Sequence, residues 1–298
     1  MAERWAVGAF LTLTIIAGDA LAAPSELAQL CPGSAGGTPV ADAAAPDLAT
    51  GKGALAQMNY ALAYSHFHAL ADAGNREAQR ELGFLLMRSC YGDRRPALRW
   101  IARAAQAGDV PAAATLGRLY MSGDGVVQDD AVAFQWLLQA GRAGDASAQA
   151  NLGILYLNGR GVSLDRYQGI VWLVRAAEQG DASALASIGR AYSLGIALPK
   201  DEQRALFWMA AAIPRASDID RNQFATIFKN TVRGVNSDDV RRIGREAEQW
   251  SPGPGRLDDV LADAARRRQF DPSGPQQAPQ TPARPPADGA AEKGKRSA

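Results

Sequence analysis

Two histidines and two cysteines are all that the 298 residues hold of the side chains most used as transition-metal ligands. Such scarcity leaves a His/Cys metal centre without a donor set, and it leaves general-base chemistry near neutral pH with few candidates. His66 and His68 lie two apart, on different faces of a helix, and no acidic or thiol residue stands at ligand spacing. An excess of charge is missing too. Lys+Arg 32 against Asp+Glu 31 gives a formal net charge of +1, which offers no footprint for nucleic acid or an anionic membrane. Catalytic signatures are absent: no G-x-S-x-G elbow, H-E-x-x-H, P-loop or dinucleotide-binding glycine fingerprint occurs. The nearest approach to Ser-x-x-Lys is Thr226-Ile227-Phe228-Lys229, with Thr in place of Ser. The chain therefore reads as a non-enzyme with no cofactor and no metal, since function must be argued from a site.

Long apolar runs are scarce as well. The one that opens the chain, Trp5 to Gly18 behind Arg4, is too short to span a hydrocarbon layer of roughly 30 Å comfortably. It is followed by Ala20-Leu21-Ala22, a small-x-small pattern. Together they predict a signal peptide over 1–22, cut after Ala22 or, as the next choice, after Ala23. The expected destination is the periplasm, with secretion as the alternative, and no integral membrane span is expected after cleavage. A lipoprotein is not expected, because Leu30 stands where a small residue should precede Cys31. In an oxidising compartment Cys31 and Cys90 predict one disulfide, worth up to ~4 kcal/mol by loop closure, against the alternative of two unpaired thiols.

What the sequence has in abundance is self-similarity. Trp100, Trp136, Trp172 and Trp208 recur at intervals of 36 (136−100, 172−136, 208−172). Gly117, Gly153 and Gly189 keep the same step, as do Tyr120, Tyr156 and Tyr192. Each unit has the grammar of two helices and two turns. Asp129 and Asp145 stand where caps are needed, Ala133, Trp136, Leu137 and Ala140 form one helical stripe, and Ala148, Leu152, Leu155 and Tyr156 form the next. The recurring Asp129, Asp165 and Asp201 are thereby assigned to capping and not to acid–base work. A glycine in mid-helix costs about 1 kcal/mol against alanine, so Gly153 and its equivalents predict close approach by the preceding helix or its Trp. His66 occupies the Trp register of a degenerate first unit. The tryptophans, glycines and tyrosines of these registers are expected to be repeat core.

The run from Ala133-Phe134-Gln135-Trp136 through Asn151-Leu152-Gly153 to Gly159-Arg160-Gly161-Val162 resembles the Sel-one-like repeat (SLR) family, a branch of the tetratricopeptide superfamily. The resemblance covers about Tyr60 to Ile213, and Ile196-Ala197 departs from it where a second turn glycine and Val belong, so that loop is expected to differ in shape. It implies an all-α, right-handed solenoid of antiparallel helix pairs that gathers partner proteins. A cysteine-rich exported branch of the family pairs cysteines inside each repeat, and this chain has no such pairs.

The expected organisation is a signal peptide at 1–22, a flexible leader at 23–52, the solenoid at 53–213, capping helices at 214–270 and a disordered Pro/Ala-rich tail at 271–298. The expected function is a non-catalytic interaction scaffold, either secreted or resident in the bacterial envelope. The alternative is an envelope enzyme or regulator acting on peptidoglycan or another glycan. A protein or peptide partner is expected on the concave face, lined by the Trp helices at Arg99, Arg103, Gln135, Gln139, Val171, Arg175 and Phe207. A solvated face of long side chains is the competing reading of the same strip.

Overall fold

The computed structural model describes residues 45–88, 94–232, 235–253 and 255–270. The expected signal peptide, most of the leader, both cysteines of the expected disulfide and the tail at 271–298 lie outside the described residues. Within them are thirteen α-helices and no strand. They are α1 (Leu48–Ala56), α2 (Tyr60–Asp72), α3 (Arg76–Arg88), α4 (Arg95–Gln106), α5 (Val110–Ser122), α6 (Asp130–Arg142) and α7 (Ala146–Asn158). Then follow α8 (Arg166–Glu178), α9 (Ala182–Leu194), α10 (Glu202–Ala212), α11 (Asp218–Thr231), α12 (Ser237–Gln249) and α13 (Arg256–Phe270).

Aspartates start the helices. Asp109, Asp145 and Asp181 accept from the backbone N–H of Ala112, Ala148 and Ala184 at 2.9, 2.8 and 2.8 Å. Asp129, Asp165 and Asp201 do the same for α6, α8 and α10. Each satisfies an N–H that the helix itself leaves open and is worth about 1 kcal/mol. Successive helices then run back and forth in two layers. The tryptophan layer holds α2, α4, α6, α8 and α10. The glycine layer holds α1, α3, α5, α7 and α9.

The mid-helix glycines are sites of close approach, but by the helix that follows and by the residue after its Trp. A Cβ on Gly117, Gly153 or Gly189 would sit 2.5, 2.6 or 2.7 Å from Leu137, Leu173 or Met209. The expectation of a preceding helix is corrected because the long loop after each of α5, α7 and α9 folds the next helix back onto it. Gly51 plays the same part for Phe67, at 2.6 Å. Residues 48–52, placed in the leader from sequence, thus begin a helix of the first repeat.

The long loops keep one shape. Asp129, Asp165 and Asp201 donate their N–H to the carbonyls of Tyr120, Tyr156 and Tyr192 at 3.0, 3.1 and 3.1 Å. Gly125, Gly161 and Ala197 all take positive φ, at 80, 67 and 64°. The different shape expected at Ile196-Ala197 is therefore not found. Ala197 adopts the left-handed conformation that glycine takes elsewhere, and its methyl group is buried at 8% exposure. These loops also carry ion pairs to the starts of the Trp helices. Arg94 pairs with Asp124, whereas one unit on the signs are exchanged and Asp130 takes Arg160 in two bonds of 2.8 and 2.7 Å.

The C-terminal helices close the array much as the sequence predicts. Asn236 caps α12 through the N–H groups of Asp238 and Asp239. Helix α12 packs on α10 and α13 packs on α8, so the cap lies against the tryptophan layer at its end. Leu257, Val260 and Ala264 of α13 are buried at 2% exposure or less. Trp250 meets Trp208 edge-on at 5.3 Å and Phe207 at 6.2 Å, and Arg215 stacks over Trp250 at 5.1 Å.

Candidate interaction surfaces

Three regions of this framework display functional groups. The first is the Trp-helix strip. Arg103 is exposed and its guanidinium stacks over Trp100 at 4.8 Å, and Arg175 repeats the arrangement over Trp172 at 4.9 Å. Gln139, between them, is exposed and donates to the carbonyl of Ala105 at 3.2 Å. Gln135 is exposed, and Arg99 and Val171 are half-buried. Phe207 does not belong with them. It is 3% exposed, covered by the cap, with Arg256 stacked on its ring at 4.0 Å. Its placement on an open face is a correction: a solenoid must hide its last apolar edge, and Phe207 is part of that edge.

Among the expected core residues, Trp100, Trp172 and Trp208 are buried at 2, 7 and 3% exposure, and Trp136 is half-buried. Gly117, Gly153, Gly189 and Tyr192 are buried, and Tyr120 and Tyr156 are half-buried. Burial pushes the phenols of Tyr192, Tyr156 and Tyr120 above the ordinary tyrosine range. Of the histidines, His66 accepts from the Asp47 N–H at 3.0 Å, and His68 meets the edge of Trp100 and, against the expectation of no acidic neighbour at useful spacing, Asp72 one turn on at 2.9 Å. No group of three potential metal ligands occurs among the described residues.

The second region is a cleft of about 390 Å³ between the last repeat and the cap. Tyr192, Phe207 and Trp208 line it beside Arg204, Arg256 and Glu246. Arg256 and then Arg242 hold the Glu246 carboxyl below the usual glutamate range, through bonds of 2.9 and 2.8 Å. A carboxyl held ionised in this way has no proton to give near neutral pH, so Glu246 is unsuited to act as a general acid.

The third region, missed from sequence, is the open face of the glycine layer. Helix α5 packs directly on α7, and α7 on α9, whereas the Trp helices meet their glycine partners more closely than they meet one another. Small residues allow this approach: α7 contributes Ala148 and Ala150 to the buried side, while Gly153 faces Leu173 of α8. Facing outward are half-buried Thr115, Asn151, Ile154 and Ser187, and exposed Arg118 and Arg190.

Stacked antiparallel helix pairs, each seated on the glycine of its neighbour, define an all-α helical repeat solenoid. The chain belongs to the Sel1 repeat family: the family's model matches residues 48–75, 76–109, 110–145, 146–181 and 182–213, more than half of the sequence. The first unit is thus whole, pairing α1 with α2, and every unit opens with a glycine helix. The fold is similar to that of a Sel1 repeat protein from Oxalobacter formigenes, with a TM-score of 0.50 and 28% identity over 63% of this chain and 78% of the other. It is equally similar to a protective antigen of uropathogenic Escherichia coli with an SLR fold, at TM-score 0.50 and 28% identity, over 68% of this chain. That match spans 48% of the antigen's own length. No functionally curated protein matches the sequence. No described helix is long and apolar enough to cross a membrane.

Proposed function

We propose that this chain is a non-catalytic scaffold that binds partner proteins in the bacterial envelope, in the periplasm first and outside the cell as the alternative. The observation that carries the reading is five consecutive Sel1 repeats. Sel1 repeat proteins are generally interaction scaffolds, and a stack of this kind presents an area many side chains long with no need of a catalytic centre. The export half of the reading rests on the apolar run and cleavage pattern of residues 1–22.

The packing favours one layer as the binding surface. A solenoid bends toward the layer whose helices approach each other most closely, which here is the glycine layer. The strip through Arg103, Gln139 and Arg175 then lies on the outer layer, part of which the cap already covers at α8 and α10. The concave face, expected from sequence on the Trp helices, is assigned to Arg118, Ile154 and Arg190 and their neighbours instead.

Crosslinking in intact cells producing the full chain with its own first residues, followed by purification and mass spectrometry, tests both halves. The expected result is a small, reproducible set of envelope proteins, lost in Arg118→Ala/Arg190→Ala and kept in Arg99→Ala/Arg103→Ala/Arg175→Ala. Loss in the second variant alone would return the site to the Trp strip. No captured protein above background would sink the scaffold reading.

A further inference from the structure

We infer that the open face of the glycine layer takes an extended acidic peptide, gripped by Arg118 and Arg190 on either side of an apolar contact at Ile154. The inference rests on the scaffold reading above and names the chemistry of the partner. Helices α5, α7 and α9 contribute 13 residues each and contain no Asp or Glu. Within that acid-free face Arg118, Ile154 and Arg190 follow Gly117, Gly153 and Gly189 directly, so all three hold one register in consecutive units.

Some other arginines of the repeats are answered within the fold. Arg80 is tied to Glu77, Glu81 and Asp109, and Arg160 to Asp130. Arg118 and Arg190 are exposed and have no carboxylate partner among the described residues. Their charge is therefore unanswered among the described residues, and a carboxylate supplied from outside answers it with a charge-assisted, bidentate bond. The nearest acids of these helices are the caps Asp109, Asp145 and Asp181 at their N-termini. Asp181 lies nine residues before Arg190, roughly 13 Å along the helix. Asp109 is engaged by Arg80 at 2.9 Å, and Asp145 and Asp181 are occupied with Ala148 and Ala184. None of them neutralises the two guanidiniums.

Geometry sets the spacing of the ligand. Neighbouring packed helices lie about 8–10 Å apart, so two steps along the layer separate Arg118 from Arg190 by roughly 20 Å. An extended chain covers about 3.3–3.6 Å per residue, so the matching carboxylates are about six residues apart. An apolar residue halfway between them meets Ile154. Thr115, Asn151 and Ser187, two positions before each glycine, border the same path and offer hydroxyl and amide groups to the backbone of the peptide.

Fluorescence anisotropy with the full chain tests this. The probe is a labelled synthetic peptide of Gly and Ser carrying two Glu six residues apart with a Leu midway. The first control replaces both Glu with Gln, and the second brings them within two residues of each other. The expected result is binding about tenfold tighter for the spaced Glu peptide than for either control, with the advantage shrinking as salt rises above about 0.1 M. In Arg118→Gln/Arg190→Gln the advantage disappears while the thermal melt is unchanged. Equal binding of the Glu and Gln peptides, an advantage that survives in the double variant, or no binding of any peptide would overturn the inference. The crosslinking experiment separates this from the scaffold reading. Partners captured in cells despite equal binding of Glu and Gln peptides leave the scaffold standing and remove only the acidic ligand.

Discussion

Asp263→Ala lowers the stability of the full chain by about 3 kcal/mol, read as a shift in urea unfolding followed by circular dichroism. Asp263 is 4% exposed on α13, and it is the shared acceptor of three donors from three places in the chain. The hydroxyl of Tyr192 on α9 donates to it at 2.8 Å, while Arg204 on α10 and Arg266 on its own helix form ion pairs with it. Removing the carboxylate strands these donors unequally. The side chains of Arg204 and Arg266 are 44% and 66% exposed and turn to water, so their losses are modest. Tyr192 is fully buried and has nowhere to turn, and an orphaned hydroxyl costs about 1–3 kcal/mol. Asp263→Asn keeps an acceptor for Tyr192 and is expected to lose about half as much. Tyr192→Phe removes donor and demand together and costs under about 1 kcal/mol. A loss for Tyr192→Phe equal to that for Asp263→Ala would show that the phenol, not the charge network, holds α13 in place. Because α13 rests on α8, its release is expected to appear as an early transition before the array unfolds.

Gly153→Val is expected to cost about 3–4 kcal/mol or to prevent folding. The first carbon of any side chain there meets Leu173 at 2.6 Å and the carbonyl oxygen of Gly169 at 2.9 Å. Leu173 has rotamers to explore, but Gly169 is backbone and yields only if α7 and α8 separate. Gly244 in α12 is the control, because a Cβ there meets nothing within 4 Å. Gly244→Ala gains the helix propensity of alanine without a clash and is expected to stabilise by about 0.5–1 kcal/mol. A tolerated Val at 153 would mean that the two layers are looser than their packing indicates.

The repeat itself was legible because each register has a separate physical reason to recur. Trp fills core, Asp caps, and glycine admits a neighbour, so these registers step together. The opening residues of the first unit, 48–52, were read as leader because its spacing differs: Gly51 precedes Phe67 by 16 residues, whereas Gly153 precedes Leu173 by 20. Once the contacts are known the two pairs are equivalent, but no fixed period exposes them. The cap helices were legible from amphipathic spacing and from the cap at Asn236. Their docking site was not, because periodicity shows which face of a helix is apolar and not which surface receives it. Phe207 was misplaced for that reason.

The proposed binding face shows a similar limit. Exposure on both layers was visible in the pattern of polar residues, and the direction of bending was not. Bending depends on which helices approach most closely, and that follows from side-chain volumes summed over neighbours, such as Ala148 and Ala150 against Trp136 and Leu138. Arg118 and Arg190 stood in register in the sequence, yet their lack of a carboxylate partner appears only in the structure. Ala197 marks the opposite case. The sequence pattern predicted a changed loop, but the bond from Asp201 to Tyr192 and the burial of the methyl group hold the alanine in a glycine conformation.

The exchanged ion pairs act as an address system for near-identical parts. A chain built of look-alike units risks shuffling, in which one segment settles one place along and still buries its apolar side. Arg94 opposite Asp124, followed by Asp130 opposite Arg160, makes such a shift detectable to the fold. Displaced by one unit, Asp130 would face Asp124 and Arg94 would face Arg160. Each attraction of up to about 1 kcal/mol would become a repulsion of similar size, so the penalty for a wrong neighbour is about twice the gain from the right one. The two bridges thus contribute little to how firmly the array holds and more to the order in which its members line up.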